Sequence, residues 1–197
     1  IPDQPYPNNL SGKLSNAQGI TIPVKHLGIL SRFRTSATPS EKIYDCIALL
    51  SGPEPQRTLL EQKMFSLFQT SEKKCLIVQG KPSDADTFST GNITCIPTIS
   101  DEEFQIILHP ETLLICRPGY STLMDLALLG HRRVLFIPTP GQTEQEYLAE
   151  EMKNKYGYAV VNQNYEISLA EIATGKLLPF GNDELSLKKV IGEFINC

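Results

Sequence analysis

Between Tyr44 and Val161, short apolar runs alternate with segments of helical spacing, and this alternation constrains the fold more than any other feature of the chain. The runs are Tyr44 to Leu50, Cys75 to Val78, Ile93 to Ile96, Leu113 to Cys116, Val134 to Ile137 and Ala159 to Val161, with Val24 to Leu30 ahead of them. They are mostly continuous rather than alternating in polarity, which suits strands buried on both faces of a parallel sheet. Thr58 to Phe68 follows Pro55, a residue tolerated in a first helical turn, and carries Leu59, Leu60, Met64, Leu67 and Phe68. Ser100-Asp101-Glu102-Glu103 is a capping-box pattern that opens a helix from Glu102 to Leu108, which Pro110 stops. Leu123 to Leu129 closes at Gly130 and Glu144 to Tyr156 at Gly157, each glycine in the position that favours a left-handed helix end.

Strand and helix in strict succession predict an α/β fold, doubly wound, with a mainly parallel sheet of about six to seven strands and helices on both faces. Leu169 to Ala173 and Leu185 to Ile195 read as further helices, and no internal repeat is visible. Residues 1–23 show neither strand nor helix periodicity and begin Ile1-Pro2-Asp3 without a methionine, so they read as an interdomain linker or the remnant of a preceding domain; residues 24–197 form the folded unit.

The 197 residues suffice for one sizeable core. Formal charge is -4 with a pI near 5.4, which gives no electrostatic basis for nucleic-acid binding. No apolar stretch approaches the roughly 20 residues that span a bilayer, and residues 1–23 lack a signal peptide's apolar centre, so the chain is expected to be cytoplasmic. Cys46, Cys75, Cys95 and Cys116 lie in or beside strand runs and Cys197 ends the chain; without a CxxC spacing they read as reduced, packed thiols. His26, His109 and His131 have no metal-ligand spacing, and no metal or cofactor is expected.

In such sheets, ligands sit beyond the carboxyl ends of the strands, where helix N-termini present unpaired N–H groups. Arg117 to Thr122 follows a strand and precedes a helix, so the N–H groups of Ser121, Thr122 and Leu123 are expected to be free donors for an anion, unless Ser121 caps its own helix. Asp125 falls in the first turn, where an open carboxylate can accept two hydrogen bonds from a vicinal diol or simply complement the dipole, a contact worth under about 1 kcal/mol. A site in which amide donors and this acid grip an anion and a diol together requires that carboxylate to stand free at the rim, neither turned into the interior nor covered by the chain's own side groups. The loop Pro138 to Glu146 offers Gln142, Glu144 and Gln145, suited to hydroxyl-rich ligands, with Thr143 as N-cap and Glu146 its box partner. Ser51 to Arg57 holds Gly52 and, at a helix start, Arg57, which binds an anion there or pairs with Glu54 or Glu61. GxGxxG, GxxxxGK[ST], HExxH and GxSxG are all absent.

Cys116 to Gly130, followed by Val134 to Pro138 and Thr143 to Ala149, resembles the C-terminal, donor-binding domain of GT-B glycosyltransferases, nearest in pattern to the lipid II N-acetylglucosaminyltransferase family. The resemblance covers roughly residues 24 to 165 in element order and is specific from Cys116 to Ala149. It implies one Rossmann-like half of a GT-B enzyme, whose substrate is a nucleotide sugar of uridine type. Asp125 would bind the ribose hydroxyls, Gly119, Ser121 and Thr122 would approach the diphosphate, and Gln142, Glu144 and Gln145 would lie at the donor sugar. Ile99 matches the loop that holds the base, and Arg32, Gly52 and Arg57 are candidate phosphate contacts. The family's glycine-rich loop after the first strand is replaced by Ser51 to Arg57, whose prolines remove two N–H donors. The acceptor site and the catalytic base belong to an N-terminal domain or a partner chain, through which peripheral membrane contact is also implied, and the fragment alone is expected to be inactive. A split-enzyme subunit, a nucleotide-sugar 2-epimerase and a regulatory binding module stay open beside this reading.

Overall fold

The computed structural model describes residues 1–34, 41–81, 86–169, 172–178 and 191–193. Its centre is strand β1 (Cys46–Leu49), flanked by β2 (Cys75–Val78) and β5 (Leu113–Cys116). With β3 (Phe88–Thr90), β4 (Ile93–Ile96), β6 (Val134–Phe136) and β7 (Ala159–Val160), these form a seven-stranded sheet in the order β3-β4-β2-β1-β5-β6-β7. All pairings are parallel except the β3–β4 hairpin. The doubly wound α/β fold is therefore present, with β3 as an antiparallel edge.

Every residue of β2, β5 and β6 is buried, which is why these runs are continuously apolar. Their side chains feed two cores. Ile47, Leu76, Leu114 and Phe136 join Phe104 of helix α2 (Asp101–Ile107), Leu123 and Leu126 of α3 (Tyr120–Leu129), and Leu148 and Met152 of α4 (Thr143–Tyr156). Ala48, Ile77, Ile115 and Leu135 point the other way, onto Leu60, Met64 and Phe68 of α1 (Gln56–Gln69). Helices thus cover both faces. Cys46, Cys75, Cys95 and Cys116 are free thiols inside these layers.

The capping box on α2 is complete: Ser100 Oγ accepts from Glu103 N–H at 3.2 Å and the Glu103 carboxylate accepts from Ser100 N–H at 3.1 Å. Those bonds hold the Glu103 carboxyl below its ordinary range. Gly130 and Gly157 end α3 and α4 in left-handed conformations.

Three expectations are revised. Val24 to Leu30 joins no strand, because the Leu27 and Gly28 N–H groups bond to Ile1 and Asp3 carbonyls, while Ile29 enters the core from a coil. β3 went unread because all three residues are exposed, so an edge strand with no buried face leaves no apolar pattern. Leu169 to Ala173 shows no helix at its described residues 169, 172 and 173; Leu169 and Ile172 instead pack as coil beneath the sheet. Of Leu185 to Ile195 only 191–193 are described, and they are helical. The rest of that segment, and Cys197, lie outside the described residues.

The stretch 1–23 folds onto the domain. Asp3 is fully buried and its carboxylate accepts from Leu10 N–H (3.0 Å), Ser11 N–H (3.1 Å) and Ser11 Oγ (2.7 Å). Leu10 enters the core, the Tyr120 hydroxyl donates to Pro2 O, and Tyr147 Oη accepts from Lys13 N–H. Gly12 holds a φ of +56°, the left-handed region that favours glycine, where the Gly12–Ser15 turn seats on α4 beside Tyr147 and Glu151.

His131, 4% exposed just after α3, has its pKa pushed down from 6.5 to about 4 by burial. A depressed folded-state pKa contributes stability above the unfolded value, and that stability is lost as pH falls toward the folded one. Urea titrations should show the wild-type chain losing about 3 kcal/mol between pH ~7 and ~4 through His131, a component missing from His131→Asn. Identical pH profiles for the two would refute the assignment.

Candidate functional site

The chain's winding reverses between β1 and β5, the place where loops diverge and leave a crevice at the carboxyl ends of a parallel sheet. The β1–α1 loop stands on one side and the β5–α3 loop on the other, with the β6–α4 loop beyond it. The first and last of these meet where Gly52, at φ +104°, faces Thr139: a Cβ on Gly52 would lie 3.5 Å from the Thr139 hydroxyl. Ser51 to Pro55 is exposed, whereas Thr139 is buried and its Oγ1 has no hydrogen-bond partner among the described residues.

Helix α3 enters this crevice uncapped. Gly119 is its N-cap and offers no side chain, and the first N–H to find an intrahelical acceptor is that of Leu123, bonded to Gly119 O at 3.0 Å. The N–H groups of Tyr120, Ser121 and Thr122 consequently have no partner among the described residues, one residue earlier than the spacing suggested, and Ser121 is not the helix cap. Helix α4 repeats the arrangement. Its N-cap is Gln142, not Thr143, and makes no side-chain cap bond; Glu146 accepts from Gly141 N–H at 3.0 Å instead of closing a box. Thr143, Glu144 and Gln145 N–H therefore have no partner among the described residues. Gln142 and Glu144 are exposed, while Gln145 is buried and accepts from Thr139 N–H through Oε1 at 2.9 Å. That bond assigns the Gln145 amide orientation and leaves its NH2 as a donor.

At the end of β5, on the α1 side of the sheet, lies Arg117, 2% exposed, which the motif reading had not singled out. It donates to Ile137 O (2.8 Å), Gln163 Oε1 (2.5 Å) and Gln56 O (3.3 Å); no carboxylate meets it, and Nε has no partner among the described residues. Burial lowers its pKa to about 10, so it remains a cation at neutral pH. A charged residue directly continuing a fully apolar strand was the available signal.

Arg57 is different. It is buried, paired with Glu54 (2.5 Å) and Glu61 (2.6 Å), and donates to Gln79 O. Burial pulls the Glu61 carboxyl upward, but Arg57, Gln79 and Lys81 outweigh it and hold the group below the ordinary range. Glu54 also accepts from Thr58 N–H, so α1 is capped by its own acid. The internal ion pair, and not an anion site, is what Arg57 serves here.

Asp125 does not meet the requirement set by the diol reading. It is 7% exposed, with Oδ1 accepting from Ser31 Oγ at 2.7 Å and Oδ2 from Arg32 Nε at 3.0 Å. Burial raises its pKa, against the opposing pull of Ser31 and Arg32. The rim at this point is filled by the chain's own groups. Arg32 also pairs with Asp101 at 3.2 Å and lies 4.9 Å over the Phe33 ring, so it ties the 24–34 segment to α2 and α3 rather than pointing freely at the crevice. Ile99, half-buried ahead of α2, packs against the same core.

The predicted set therefore divides. Gly52, Gly119, Ser121, Thr122, Gln142, Glu144 and Gln145 lie in the loops and helix starts that follow β1, β5 and β6, all at the carboxyl edge of the sheet; Arg57, Arg32, Asp125 and Ile99 are occupied in internal contacts. Among the described residues, no three His, Cys, Asp or Glu side chains cluster as a metal site would, and no helix is long and apolar enough to cross a membrane. No protein-family model matches the chain, and no curated protein sequence matches it.

Because Asp125 is a buried tie and not an exposed dipole contact, Asp125→Ala should cost about 1–3 kcal/mol in denaturant unfolding, the scale of lost charge-assisted hydrogen bonds. A loss below about 0.5 kcal/mol would mean that the Ser31 and Arg32 contacts hold nothing together.

Proposed function

We propose that this chain is the donor-binding half of a glycosyltransferase that uses a nucleotide diphosphate sugar of uridine type, with acceptor and catalytic base supplied from outside it. The observation that supports the reading is the pair of uncapped helix starts beyond β5 and β6, where Tyr120 to Thr122 and Thr143 to Gln145 offer six N–H groups that have no partner among the described residues. Helix N-termini of this kind favour phosphate, and Arg117 supplies net positive charge that Arg57 does not. The order of residues from Cys116 to Ala149, similar to the GT-B donor motif, supports the same ligand.

In transfer from such a donor, negative charge grows on the leaving diphosphate. Preorganised N–H dipoles in a low-dielectric crevice stabilise that charge without reorganising, which is the largest contribution open to this half of the enzyme. The two prolines of the β1–α1 loop reduce its donors, so α3 and α4 carry most of the grip. Asp125, buried and bonded to Ser31 and Arg32, takes no part as a ribose ligand. The reading consequently rests on the diphosphate crevice.

Isothermal calorimetry with UDP and with inorganic pyrophosphate tests this. UDP should bind with a Kd on the order of 1 mM or below, and Ser121→Pro, which removes one donor in the first helical turn where proline is tolerated, should weaken it by roughly tenfold. Absence of UDP binding by the folded chain would sink the reading, and binding of pyrophosphate as tight as UDP would reduce it to a general anion site.

A further inference from the structure

Cys46 opens β1 and Cys75 opens β2, and the parallel register pairs these two residues directly. Both side chains belong to the core on the α1 side, so they project from the same face of the sheet. We propose that Cys46 and Cys75 are a redox-sensitive pair, joined reversibly into a disulfide by exchange with a low-molecular-weight disulfide such as oxidised glutathione.

The sheet selects this pair among the buried thiols. Neighbouring strands run about 4.8 Å apart, which puts the Cα atoms of a register pair inside the range of roughly 4.4–6.8 Å that a disulfide spans. Cys95 lies on the same face but is in register with Ile77, two positions beyond Cys75. That offset sets its Cα roughly 8 Å from that of Cys75, past the limit of about 7 Å. Cys116 faces the opposite core.

The same register makes the bond reversible. Side chains of a parallel pair start near the strand spacing, whereas a relaxed disulfide draws its Cβ atoms to roughly 3.5–4.5 Å. Closing the bond therefore strains the starts of β1 and β2, and strained disulfides are the ones that small thiols reduce again.

The order of the exchange follows from the hydrogen bonding. The Cys75 thiol has two acceptors in reach, Lys73 O at 3.2 Å and the Cys46 sulfur. The bond from Cys75 lowers the Cys46 pKa against the upward push of burial, and the Lys73 ammonium adds to it. Cys46 is thus the attacking sulfur. Its thiolate displaces one thiolate from the reagent and holds the other half as a mixed disulfide. Cys75, giving up its proton, then attacks the Cys46 sulfur and displaces that half. Two protein thiols and one small disulfide become one protein disulfide and two small thiols. Both cysteines are 0% exposed, yet each is first in its strand, beside half-buried Asp45 or exposed Lys74, so fraying of the strand starts admits the reagent. Once closed, the bond stops the amino ends of β1 and β2 from parting.

The test incubates the folded 197-residue chain with oxidised glutathione. Thiols counted after denaturation should fall by two from the chain's five, and mass spectrometry of a digest should join the peptides that carry Cys46 and Cys75. Reduced glutathione in roughly tenfold excess over oxidised should reopen at least about half of these bonds. Amide exchange at Ile47 and Leu76 should slow by about threefold or more in the oxidised chain. Cys75→Ala should trap glutathione on Cys46, whereas Cys46→Ala should leave Cys75 unmodified over the same time. Circular dichroism shows whether the variants are folded; where one is not, the wild-type peptide map decides alone. Absence of the bond in the native wild type, pairing with Cys95 or Cys197 instead, a Cys46–Cys75 bond that survives reduced glutathione, or unchanged exchange at Ile47 and Leu76 overturns the proposal.

Discussion

Strand β1 is hydrogen-bonded in parallel register on both sides, Cys46 to Cys75 of β2 and Cys46 to Leu113 of β5, and the rest of the structure follows from that placement. A chain that lays β2 and β4 outward on one side must then cross back to put β5 on the other. Right-handed crossovers in opposite directions place α1 on one face and α3 and α4 on the other. The loops at the carboxyl ends of β1 and β5 consequently part, and the ends of β5 and β6 deliver two helix starts to the same gap. No separate device is needed to form the crevice; it is the geometric remainder of the sheet order.

Arg117 follows β5 directly and bonds the start of α1, and its energetics differ from those of Arg57, the buried cation on that helix. Arg57 is neutralised by Glu54 and Glu61, an arrangement that closes on itself. Arg117 is satisfied mainly by carbonyl oxygens, which answer its hydrogen bonds without cancelling its charge. Burying a cation in this way is unfavourable, as the fall in its pKa to about 10 records.

The parallel core was legible because burial on both faces writes itself as continuous apolar runs: β2, β4 and β5 were delimited to the residue, and Ser100, Gly130 and Gly157 marked helix ends by their own conformational needs. Where burial was one-sided or absent, as in β3, the pattern carried no signal. The stretch 1–23 was illegible for another reason. Its anchor is a single buried carboxylate bonded to backbone N–H groups several residues away, and such contacts have no period. Asp125 shows the same limit from the side of function. Its place in the helix was read correctly, but the partners that occupy it, Ser31 and Arg32, lie more than ninety positions earlier, and only the folded chain brings them together.

The four best-defined helices separate into two kinds by how they begin. α2 closes its N-terminus with Ser100 and Glu103, and α1 borrows Glu54. α3 and α4 have capping-type residues at hand, Ser121 and Thr143, yet each stands too late to serve: Ser121 is the second helical residue and Thr143 the first. Their hydroxyls cannot reach back to the N–H groups of their own first turn in the way an N-cap does. A shift of one or two residues in register would cap both helices at a gain of about 1 kcal/mol each, so the open starts forgo stability that the chain secures at α1 and α2. The helices left open follow β5 and β6, whereas α1, the other helix that starts at the switch point, is closed by Glu54, so the stability forgone lies on the α3–α4 side of the sheet alone.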